Sequence, residues 1–120
     1  MVLKNDIQHR KGDGDGRFNE NDPDTETVEV AVTSLDTVYA NTGILPSFIK
    51  FDIEGSEKAA LLGAAKIIRT SKPKLAICAY HKNEDYYVLP QTILSLNPDY
   101  KLYLRHYSNS THRESVIYAI

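Results

Sequence analysis

The stretch Phe48-Ile49-Lys50-Phe51-Asp52-Ile53-Glu54-Gly55-Ser56-Glu57 decides how this 120-residue chain is read. Its first six positions are mostly apolar and β-forming, as a buried strand requires. Gly55 and Ser56 end that strand. Ser56-Glu57 then opens a helical pattern through Ala59, Ala60, Leu61, Leu62, Ala64, Ala65, Ile67 and Ile68. Glu57 lies in its first turn and Lys66 and Arg69 in its last, where the helix dipole favours them. Pro73 stops the helix, and Lys74 to Tyr80 reads as a second buried strand. Strand, helix and strand with short joints form a βαβ unit, so the two strands run parallel.

The pattern extends on both sides. Upstream, Val28, Val30 and Val32 alternate with Glu29, Ala31 and Thr33, a strand signal. Ser34 is placed to cap a short helix starting at Leu35, closed by Gly43 and Pro46. Downstream, a helical stretch begins near Asn83 or Glu84. Pro90 is expected in the first turn of a helix ending near Leu96, because a proline clashes with the carbonyl four residues back. Tyr100 to His106 alternates as a strand. Ser108 to His112 is a polar turn, and Ser115 to Ile120 is a last strand, antiparallel to the one before. The fold class is α/β: parallel strands with helices on the faces of the sheet, ending in an antiparallel hairpin.

Composition narrows the function. Lys and Arg number 14 and Asp and Glu 16, a formal net charge of -2. No basic excess exists to neutralise phosphates, which argues against nucleic acid. The single cysteine, Cys78, excludes a disulfide within the chain and suits a reducing compartment. No apolar run approaches the roughly 20 residues that span a bilayer. Met1 to Arg10 has no apolar core to act as a secretion signal, so the expected location is the cytoplasm. Residues 1–26 are too polar to fold and are expected to be a flexible segment. Residues 27–120 form the domain.

Chemistry-capable residues gather at two strand ends, where open α/β sheets bind ligands. Asp52, Glu54 and Glu57 follow the first strand; Tyr80, His81, Lys82 and Asp85 follow the second. If those strands are neighbours, Asp52 and His81 share one edge of the sheet. Imidazole titrates near neutrality and a carboxylate can orient it, so the pair could deprotonate an alcohol. The competing reading makes Asp52 and Glu54 caps of the next helix. Arg105 and His106 on the hairpin could face an anionic substrate. Asp13 to Asp22 resembles an EF-hand calcium loop, with Asp13, Asp15, Gly16, Asn19 and Asp22 in register. Lys11 stands at its first ligand position and Pro23 follows it, and both oppose calcium binding. No Cys/His set has zinc spacing, and no metal is expected at the strand ends.

The same segments resemble the FkbM family of methyltransferases. The resemblance rests on Ser34-Leu35-Asp36, on Phe48 to Glu57 and on Leu61-Leu62-Gly63-Ala64. It continues through Pro73 to Ile77, Tyr80-His81-Lys82, Asp85, Leu89-Pro90, Tyr103 to Tyr107 and Tyr118-Ala119. It implies a Rossmann-like, class I methyltransferase fold that ends in an antiparallel hairpin. It implies S-adenosylmethionine as methyl donor and a sugar or natural-product hydroxyl as acceptor. It places Asp52 on the acceptor side after the fourth strand and His81 after the fifth, so that this pair is expected to be catalytic. The strand ends and the hairpin add Glu54, Glu57, Tyr80, Asp85 and Arg105 as expected substrate-side residues.

The family's upstream strands, with a glycine-rich turn and a ribose-binding acid, find no counterpart in residues 1–26. The chain is therefore expected to be the carboxyl-terminal half of that fold, inactive alone and without a cofactor pocket. Phe48 to Ile53 would be an open strand edge, available to a second copy or to the missing amino-terminal half. The rival expectations are an α/β interaction module without chemistry and a calcium-binding loop at residues 13–22.

Overall fold

The computed structural model describes residues 31–109 and 114–120. The calcium-like loop and the strand expected at Val28–Val30 lie outside them. Ala31 and Val32, which are described, belong to no strand. The elements are α1 (Leu35–Thr42), β1 (Phe48–Phe51), α2 (Glu57–Leu62), α3 (Ala65–Ser71), β2 (Lys74–Cys78), α4 (Asp85–Leu96), β3 (Leu102–His106) and β4 (Ser115–Ala119).

The four strands form one sheet in the order β1-β2-β4-β3. β1 and β2 are parallel, with Phe48 opposite Lys74 and Phe51 opposite Ile77. β4 runs antiparallel to β2 and to β3. The last strand therefore inserts between β2 and the strand that precedes it. This is the parallel pair and terminal hairpin expected from the sequence.

Strand residues alternate between two faces, and the core lies on one of them. Ile49, Leu75, Ile77, Ala79, Ile117 and Ala119 are buried with Leu61, Ile67, Ile68, Leu89, Ile93 and Leu96 of the helices. Leu35 and Tyr39 of α1 pack against the same cluster. All four described helices thus serve one face. The other face carries Phe48, Lys50, Ala76, Cys78, Val116 and Tyr118, which line an open concavity. Helices on both faces were expected; among the described residues they cover one.

Two helices differ from the sequence reading. The long helix expected from Glu57 to Ile68 is broken at Gly63 and Ala64 into α2 and α3. The cause lies 30 residues away. The Asp36 carboxylate accepts hydrogen bonds from the N–H groups of Lys66 and Ile67, at 2.8 and 3.0 Å, and so satisfies the free start of α3. The Asp36 N–H in turn donates to the Gly63 carbonyl. A Cβ at Gly63 would lie 3.1 Å from the Ser34 Cβ, so a side chain there would press on the α1 cap. Ser34 itself caps α1 as expected, accepting from the Thr37 N–H.

The second difference is Pro90. It sits inside α4 rather than in the first turn of a helix. A proline has no N–H to offer the carbonyl four residues back, here that of Tyr86. Burial of Leu89, Ile93 and Leu96 along one face of α4 holds the helix across that gap.

Candidate functional site

β1 and β2 are adjacent and parallel, so their carboxyl ends meet. Beyond β1 the chain turns sharply through Glu54 (φ 55°) and Gly55 (φ 92°). Left-handed backbone costs a non-glycine residue energy, on the order of 1–3 kcal/mol. The turn brings both the Asp52 and the Glu54 carboxylate round to His81, which follows β2. The His81 Nε2 lies 3.5 Å from Asp52 Oδ1 and 3.6 Å from Glu54 Oε2.

Glu57 sits on the other side of the imidazole. Its Oε1 is 2.9 Å from His81 Nδ1 and accepts a hydrogen bond from the Ile53 N–H. The His81 ring N–H is not aimed along that short contact, which falls short of a well-formed hydrogen bond. Both His81 nitrogens and Glu57 Oε2 are buried without a hydrogen-bond partner. The His81 side chain is 8% exposed and that of Glu57 1%.

Tyr80 donates from its hydroxyl to Asp52 Oδ1 at 3.0 Å, and its ring lies against His81. Burial, then the hydrogen bond to Asp52, pushes the Tyr80 hydroxyl up to about 12, so it remains a donor. The Cys78 thiol is pushed to about 11, first by burial and then by the Asp52 charge. A thiol this hard to ionise is no nucleophile near neutral pH.

The structure thus brings together Asp52, Glu54, Glu57, Tyr80 and His81. The capping role weighed for Asp52 and Glu54 is not seen: Ser56 stands at the α2 cap, with no side-chain cap bond. Glu57 and Asp85, expected near the substrate, are both buried and accept from backbone N–H groups, Asp85 from that of Lys82. Asp85 also joins the cluster, with donor atoms of Glu57, His81 and Asp85 within 4.8 Å of one another. Arg105 lies apart on β3, donating to the Leu104 carbonyl. What the sequence did not reveal is that Glu57 lies beneath the imidazole. Its position three residues beyond Glu54, at the start of a helix, was the only signal.

The family model for the FkbM methyltransferase domain matches residues 4–110. The chain belongs to the FkbM methyltransferase family. The match begins upstream of residue 27, where the resemblance read from the sequence began. A crystal structure of methyltransferase FkbM from Methylobacillus flagellatus is similar, with 42% identity and a TM-score of 0.69. That likeness covers 76% of this chain and 23% of the solved one, so the chain spans under a quarter of its neighbour. No curated protein matches the chain.

FkbM membership implies S-adenosylmethionine at the family level. Among the described residues there is no open glycine cradle for it. The glycine turn after a parallel strand is the one at Gly55, and it offers no open cradle. A Cβ there would meet Lys82 Cε at 3.0 Å and His81 Cβ at 3.8 Å. Side chains from beyond β2 fill the space. Among the described residues, no helix is long and apolar enough to cross a membrane.

Proposed function

We propose that this chain carries the acceptor side of an FkbM-type O-methyltransferase. The observation that carries the reading is the juxtaposition of Asp52 and His81 at the carboxyl ends of two neighbouring parallel strands. Glu57 holds one edge of the imidazole from below. Nε2 is left facing Asp52 and Glu54, towards the side from which a ligand enters an open α/β sheet. Asp52 keeps its side chain 39% exposed and can reach a solvent-borne hydroxyl. An arriving hydroxyl would donate to this cluster, which orients it and takes its proton. Tyr80 holds Asp52 in place by its hydrogen bond. A sugar or natural-product alcohol suits a site of carboxylates, an imidazole and tyrosines, all of which hydrogen-bond hydroxyls.

The cofactor's amino-acid and ribose contacts are assigned to the amino-terminal half of the family fold. The support is the filled turn at Gly55 and the quarter-length match to the solved neighbour. Calorimetric titration of S-adenosylmethionine into the 120-residue chain tests this assignment. No saturable heat is expected. Saturable binding would mean that these residues build a cofactor site of their own.

A further inference from the structure

We propose that Asp52, Glu54 and His81 bind one divalent cation of the zinc type, with Glu57 as the residue that positions the imidazole. The inference rests on the acceptor-site reading above and deepens it. One donor atom from each of the three residues lies within 4.8 Å of the other two. A group of acids alone would prove little, since exposed carboxylates often cluster in solvent. The independent observation is His81. Its side chain is 8% exposed, and its Nε2 is buried without a hydrogen-bond partner while facing two carboxylates. A buried polar nitrogen without a partner is costly, and a cation between it and the acids removes that cost.

The geometry suits zinc. Separations of 3.5 and 3.6 Å from Nε2 to the two carboxylate oxygens subtend roughly 115° at a centre about 2.1 Å from each donor. That is near the tetrahedral angle, and three protein ligands leave the fourth position open to solvent or substrate. Two carboxylates and a neutral imidazole also balance a charge of two. The imidazole argues against magnesium and calcium, which prefer all-oxygen sites. Glu57 Oε1, 2.9 Å from Nδ1, stands where a carboxylate commonly fixes a ligating histidine ring from behind. A hydroxyl in the open position would be polarised by the cation. The spacing of these residues in the sequence shows no such site, because it forms only when β1 and β2 lie side by side.

The test is calorimetric titration of Zn²⁺ into the metal-free 120-residue chain, beside Asp52→Asn and Glu54→Gln. The Glu54 side chain is 82% exposed, so its replacement should leave the metal-free melting temperature unchanged. One site is expected, weakened at least about tenfold by either substitution, the scale of losing one supporting group. Co²⁺, used as a visible probe, should give the absorption of a four-coordinate ion in the parent and not in His81→Gln. Parent-like Zn²⁺ binding in both carboxylate variants would overturn the proposal, and so would no binding at millimolar Zn²⁺. If Zn²⁺ does not bind while methyl transfer still depends on Asp52, the cation falls and the acceptor site stands. If Zn²⁺ binds as expected and transfer ignores Asp52, the acceptor-site reading fails instead.

Discussion

At the scale of single residues, burial decides which groups are active and which are inert. Tyr100 shows this away from the site. It is 5% exposed, and its hydroxyl donates to the Pro73 carbonyl. Burial pushes that hydroxyl from 10.0 up to about 12. The folded state therefore favours the protonated phenol. Its contribution to stability is complete below pH 10 and is lost as the pH rises towards 12. Urea unfolding across that range should show stability falling in the parent, with a flatter alkaline limb in Tyr100→Phe. At the strand ends, His81 and Asp52 were legible because each follows a strong apolar run. Glu57 beneath the ring, and the approach of Glu54, were not. Those contacts depend on the left-handed turn at Glu54 and Gly55 and on the pairing of β1 with β2, neither of which spacing reveals.

At the scale of elements, short helices stand on contacts from distant parts of the chain. α3 has seven residues and no cap from its own neighbours; Asp36 of α1 supplies it. Removing that carboxylate leaves two helix N–H groups without their acceptor. Asp36→Ala should cost about 1 kcal/mol, the usual scale of a lost helix cap. Thermal unfolding should register this as a fall of roughly 4–8 °C for a domain of this size. An unchanged melting temperature would show that water replaces the carboxylate at no loss. The same contact explains why a single helix was expected from Glu57 to Ile68. The apolar pattern runs through Gly63 unbroken, and the break is made by a residue outside the pattern. Pro90 was misplaced for a related reason, since the rule against interior proline is local and the packing that overrides it is not. The strands were read to within a residue or two at most ends, because continuous apolar runs bounded by Gly, Ser and Pro leave little choice.

At the scale of the whole molecule, the sheet has an end strand that invites company. Among the described residues β1 pairs only with β2, and Phe48 at its start is 55% exposed. An apolar edge strand is a template for another chain. The occupant we assign is a polypeptide carrying the preceding strands of the family fold, with a second copy of this chain as substitute when it is absent. Light scattering of the purified chain should therefore show association that grows with concentration. Phe48→Lys should suppress it, because a charge on an edge opposes pairing and an exposed site spares the core. A monodisperse monomer at high concentration would count against the open edge.

The account stands or falls on methyl transfer at Asp52 and His81. The most direct measurement replaces the matching segment of the Methylobacillus flagellatus protein, 42% identical, with residues 34–120 of this chain. Transfer of labelled methyl from S-adenosylmethionine to a panel of sugar and natural-product alcohols is then followed. The account predicts transfer to a hydroxyl in the parent chimera. It predicts a loss of about a hundredfold or more in Asp52→Asn, with cofactor affinity unchanged, the scale expected for a group that moves the hydroxyl proton. Transfer at the parent rate in both Asp52→Asn and His81→Gln would contradict it.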